Sequence, residues 1–93
     1  MISEHQLQKA AIEYLDLSFY KHCYFAIPNG AKRSIGCAAW MKSEGLKRGV
    51  PDLFIAWPTK GYSGLFIEFK SQNGRVSDHQ KSWMTTLEIN GYA

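Results

Sequence analysis

Cysteine is scarce in this chain, with only Cys23 and Cys37 among 93 residues. They form no CxxC and no closely spaced pair, which excludes a disulfide framework and predicts reduced thiols in a cytoplasmic protein. His5, His22 and His79 have no partner at metal-ligand spacing, so neither thiolates nor imidazoles build a zinc site. His5 and His79 read as solvated helix-start residues, and His22 as a loop residue. No apolar run approaches the ~20 residues of a membrane span. No signal peptide opens the chain, and repeats, linkers and low-complexity tracts are missing. One domain over residues 1–93 is the expectation.

The chain does have the means to fold. Apolar residues make up 45% and aromatics 14%, too many for a disordered segment. At this length the core is modest, and oligomerisation often assists. The net charge of +3 leans towards an anionic partner, but by itself does not single out nucleic acid.

Ser3 followed by Gln6 is a capping box and predicts a helix start with Ser3 as N-cap. Leu7, Ala10, Ala11, Tyr14 and Leu15 then keep helical spacing, with Glu4 one turn earlier on that face and Gln8 bordering it. Residues Tyr24–Ile27 read as a strand ended by Pro28-Asn29-Gly30. A short helix is expected from about Ser34 to Glu44, stopped by Gly45. Ser77 with Gln80 opens a last helix whose inner face holds Gln80, Trp83, Met84 and Leu87. Asn90-Gly91 closes it, and Tyr92-Ala93 reads as the beginning of a strand. The order helix, strand, helix, strand, strand, helix predicts an α/β fold around a small mixed sheet flanked by helices.

Between the second and third helices lie the segments Val50-Pro51-Asp52-Leu53-Phe54-Ile55 and Leu65-Phe66-Ile67-Glu68-Phe69-Lys70. Each is an apolar strand with charges at one end, a placement that structural strands seldom show. Pro58, Gly61, Ser63 and Gly64 predict a hairpin between them. Side chains alternate, so Glu68 and Lys70 share a face with Phe66, and Leu65, Ile67 and Phe69 take the other. With the turn centred near Lys60 or Gly61, Asp52 falls opposite Glu68 or Lys70. A one-residue slip would send Asp52 to the wrong side. Two carboxylates and an ammonium so gathered can hold a hard divalent cation and an attacking water.

Taken together, Gly49-Val50-Pro51-Asp52-Leu53, Glu68-Phe69-Lys70, the helix carrying Glu4 and the helix carrying Gln80 and Trp83 resemble the PD-(D/E)xK nuclease superfamily. Within it they resemble the VRR-NUC family. A lone ExK would mean little; GxPDL upstream, the apolar hairpin and both helices make the likeness specific over most of the chain. The resemblance implies a restriction-endonuclease-like fold and a homodimeric, metal-dependent endonuclease that cuts branched DNA, notably four-way junctions. It implies Mg2+ or Mn2+ with no other cofactor, in the cytoplasm of a bacterial or phage-infected cell. Asp52 and Glu68 would bind the metal with the Phe69 carbonyl, and Lys70 would orient or deprotonate the attacking water. Glu4 would be an outer ligand or serve a second metal, and Gln80 would position water or phosphate.

Plainer readings stay open for two of these residues. An acidic residue such as Glu4 is favoured in any first helical turn, and Gln80 is already the capping partner of Ser77. DNA contacts are expected from Asn29, Lys32, Arg33, Lys42, Lys47, Arg48 and Arg75, as phosphate contacts that read no bases. Trp40, Trp57 and Trp83 read as core, with Trp40, in basic surroundings, the best exception. The rival functions are a non-cleaving DNA-binding module of the same fold, and a nuclease acting on flaps or ordinary duplex.

Overall fold

A computed structural model describes residues 2–28 and 35–93, with 35–38 described through their backbone alone. The elements follow the expected order: α1 (Glu4–Asp16), β1 (Tyr24–Ala26), α2 (Ile35–Ser43), β2 (Leu53–Ile55), β3 (Leu65–Ile67) and α3 (Asp78–Ile89). Both capping boxes form. Ser3 and Ser77 accept from the backbone of Gln6 and Gln80, whose side chains accept in return from the cap backbone. These contacts satisfy amides that the first helical turn would otherwise leave bare.

The strands form an antiparallel sheet in the order β1-β2-β3. The chain end joins this sheet. Ala93 donates its N–H to the Gly64 carbonyl and accepts from the Phe66 N–H, at 3.0 and 2.9 Å. One residue bonding to two that flank a third is the parallel pattern, so the chain end runs parallel to β3 beside three strands that are antiparallel to one another.

Alternation along β2 sorts the side chains. Leu53 is fully buried and Ile55 nearly so; both pack with Leu15 and Ile12 of α1 and with Tyr24, Ile67 and Phe69. On the opposite face Phe25, Phe54, Phe66 and Tyr92 form a chain of ring contacts at 4.5–6.0 Å. Met84 and Leu87 of α3 line a small cavity with Pro51, Phe66 and Glu68, which places α3 on that second face. Helices therefore cover both sides of the sheet. Tyr24 also ties β1 to α1, its hydroxyl donating to Asp16.

The inner stripe of α1 differs from the expected one. Leu7, Gln8, Ala11, Ile12 and Leu15 are half-buried or buried, whereas Ala10 and Tyr14 face solvent. A sheet built from three-residue strands covers only a narrow stripe of the helix, and Tyr14 lies beyond its margin. Met84 is likewise 38% exposed, and Trp40, at 67%, is outside the core, while Trp57 packs edge-on against Phe19 and Tyr20. Among the described residues no helix is long and apolar enough to cross a membrane.

The hairpin turn is tight. Thr59 and Tyr62 exchange both backbone hydrogen bonds across Lys60 and Gly61, which both adopt positive φ. That is the two-residue turn whose twist suits antiparallel strands. Three residues (56–58) separate Ile55 from Thr59, but only two (63–64) separate Tyr62 from Leu65. The extra residue on the β2 side acts as a bulge and shifts the pairing by one. Partner numbers sum to 121 at the turn and to 120 along the strands.

Candidate functional site

That register decides where the carboxylates point. Leu53 pairs with Ile67, so the next pair outward is Asp52 with Glu68, on the face of Phe54 and Phe66. Asp52 is held on both sides: its N–H donates to the Ile67 carbonyl and its carbonyl accepts from the Ile27 N–H. Its Oδ2 accepts from the Phe69 N–H at 3.0 Å. Lys70 Nζ lies 3.7 Å from Glu68 Oε2, and the Glu68 side chain is only 9% exposed.

Burial pushes the Glu68 carboxyl up to about 7, and repulsion from the Asp52 carboxylate, with a hydrogen bond that protonated Glu68 donates to it, adds to the shift. Lys70 opposes it, and Glu4 adds a smaller push in the same direction. Two carboxylates in one half-buried site cannot comfortably both ionise. The raised value means that the folded chain holds this proton more tightly than the unfolded chain does. The associated stability is complete below the ordinary 4.5 and is lost as pH rises through about 7. Metal-free protein should therefore melt at progressively lower temperature across that window. If Glu68 holds a cation, added Mn2+ should raise the melting temperature more at pH 8 than at pH 5.5, because proton and cation would compete for one carboxylate. Equal metal stabilisation at both pH values would remove Glu68 from the binding site.

The pair opens into a cleft of about 810 Å³. Its lining includes Glu4, Lys42, Lys47, Arg48, Gly49, Asp52, Glu68, Lys70, Ser77, His79 and Gln80. Glu4 stands on the α1 side, its Oε2 accepting from the Ser71 N–H at 3.4 Å. Gln80 takes the cleft and the cap together, because its Oε1 accepts from Ser77 N–H at 2.8 Å. Lys42, Lys47 and Arg48 line the cleft from the end of α2 and the segment after it. Arg75 is exposed and is not among the lining residues, and Asn29, Lys32 and Arg33 lie outside the described residues.

Ser77 and His79 join the cleft unannounced by any spacing in the sequence. They arrive there through Gly49, which has φ +84°. A β-carbon on Gly49 would lie 2.5 Å from the His79 carbonyl carbon and 2.8 Å from the Gln80 nitrogen. The absence of a side chain lets the segment leading to Asp52 press against the first turn of α3.

Among the described residues no three His, Cys, Asp or Glu side chains converge as a ready cage for a metal. The carboxylate set is the Asp52–Glu68 pair, with Glu4 engaged at Ser71. An all-oxygen pair facing an open cleft suits Mg2+ or Mn2+, since Mg2+ keeps several waters and takes only one or two carboxylates. It offers nothing to a soft metal.

A small sheet between helices, ending in a carboxylate pair and a lysine in a cleft lined by basic residues, is the architecture of a nuclease domain. The model of the VRR-NUC domain family matches residues 3–93, and the chain belongs to that family. A solved structure described as a VRR_NUC domain protein is similar at 26% identity with a TM-score of 0.83, covering 99% of this chain and 74% of that one. No curated protein matches the chain significantly. Family membership brings a nuclease-type function on DNA, in a family that typically uses divalent metals.

Proposed function

We propose that this chain, as one domain over residues 1–93, is a structure-selective DNA endonuclease that hydrolyses phosphodiesters in branched DNA. Four-way junctions are its preferred substrate, and it works as a homodimer with Mg2+ or Mn2+. The observation that carries this reading is the Asp52–Glu68 pair beside Lys70, set beneath the cationic wall of Lys42, Lys47 and Arg48.

Asp52, Glu68 and the Phe69 carbonyl would hold the cation, with Glu4 reaching it through water or serving a second ion. When bound, the cation supplies Lewis-acid polarisation of the scissile phosphate and makes an attacking water more acidic. Lys70 orients that water and offsets charge growing on the phosphate. The Phe69 N–H fixes the orientation of Asp52. Gln80 positions water or phosphate with its amide nitrogen, because its oxygen is committed to the cap. Lys42, Lys47 and Arg48 of the cleft lining, together with Arg75, Asn29, Lys32 and Arg33, contact phosphates without reading bases. A two-fold dimer would set two such sites against the symmetric strands of a junction.

The test is incubation of purified protein with labelled four-way junction, flap and linear duplex, with and without Mn2+. Metal-dependent paired nicks in the junction are expected, with slower or no cutting of linear duplex. Indifference to metal, or equal cutting of all three, would overturn the reading. Sedimentation at micromolar concentration should give a dimer; a monomer would remove the paired-site idea.

A further inference from the structure

Resting on the nuclease reading above, we propose that His79 donates a ring N–H to a DNA phosphate neighbouring the one being cut. His79 lines the cleft with Asp52, Glu68 and Lys70. Its place there is built by packing: the Gly49 backbone rests on the His79 backbone so closely that a single methyl would collide with it. The side chain is exposed, and among the described residues it has no hydrogen-bond or ionic partner within the protein. α3 does not need it either, because Ser77 and Gln80 complete the cap between them.

The chemistry of the cleft indicates what the imidazole meets. Lys42, Lys47 and Arg48 supply charge along the wall, while Asp52 and Glu68 repel an approaching phosphate from the floor. A donor at the first turn of α3, packed against Gly49, gives the backbone a further hold besides the lysines. It would fix the strand over the carboxylates and keep it from sliding along the basic wall. Ordinary duplex, flap and junction all present such a phosphate, so this contact orients the strand without choosing the substrate.

The experiment compares His79→Ala, His79→Glu and, as a charge-matched control, Ser82→Glu, at an exposed site outside the cleft lining. Junction affinity is measured in Ca2+, and kcat and KM in Mn2+. His79→Ala should weaken affinity and raise KM about tenfold, the size of one lost hydrogen bond to a charged group. His79→Glu should lose more, whereas Ser82→Glu should match the wild type. Thermal unfolding should be unchanged for all three, or raised for His79→Glu, since acidic residues favour a first helical turn. Wild-type affinity and KM in both His79 variants would overturn the contact and leave the nuclease reading intact. Equal losses in His79→Glu and Ser82→Glu would overturn it too, by reducing it to net charge. A wild-type protein that neither binds nor cuts any of the DNAs overturns the function itself, and the contact with it.

Discussion

Asp52→Asn should lower junction cleavage by ~10³-fold, on the scale of removing one preorganised electrostatic group from a hydrolytic site. Junction binding should persist, because the cationic wall is untouched. The substitution keeps an oxygen that can accept from Phe69 N–H, so the local hydrogen bond survives. It also removes the charge that helps push the Glu68 carboxyl up. Metal-free Asp52→Asn should accordingly be as stable as the parent near neutral pH, or more so, while losing its thermal response to Mn2+. That combination separates a metal ligand from a structural residue, whose loss would lower the melting temperature. Lys70→Ala should also cut cleavage, by ~10²–10³-fold, yet retain the Mn2+ response, because a cation is no ligand. Cleavage at the parental rate by Asp52→Asn would remove the mechanism.

Gly49→Ala should produce the largest loss of stability of an alanine placed at any of the described glycines. A β-carbon at φ +84° costs roughly 1–2 kcal/mol in backbone strain. Collision with the backbone of His79 and Gln80 adds about 1–3 kcal/mol of overpacking, since neither neighbour is the end of a flexible side chain. In a domain of this size that sum lowers the melting temperature by at least about 8 °C. Gly61→Ala is the comparison. Its φ of +86° is nearly the same, but nothing lies within 4 Å of the added carbon, so strain alone should register. Equal losses in the two variants, measured by thermal or urea unfolding, would show that the contact with α3 carries no weight. Any Gly49→Ala protein that folds should also cleave poorly, because the first turn of α3 must back away from the carboxylates.

The parts of this architecture that were legible in the sequence are those set by near neighbours. Ser3 with Gln6 and Ser77 with Gln80 mark both helix starts, because a capping box is a contact across three residues. The meeting of Asp52 and Glu68 follows from alternation once the hairpin is placed. The orientation of α1 is less legible, because Tyr14 is exposed or covered according to the breadth of a sheet drawn from distant segments. His79 is illegible by spacing, since its position comes from a missing side chain thirty residues earlier in the chain. The one-residue shift in pairing has a single hint, Pro58, which cannot donate to a ladder and so marks an irregular strand. The turn centre alone leaves the partner of Asp52 undecided between faces.

That irregularity carries a consequence for how this hairpin can change length. Pairing phased from the Lys60-Gly61 tip alone would set residue 52 against residue 69 and turn its carboxylate into the hydrophobic interior. The odd residue between Ile55 and Thr59 restores even parity some distance from the chemistry it serves. Lengthening or trimming the outer hairpin by two residues, one per arm, leaves the reactive end in phase. A lone insertion or deletion reverses it, even though every reactive side chain is still present.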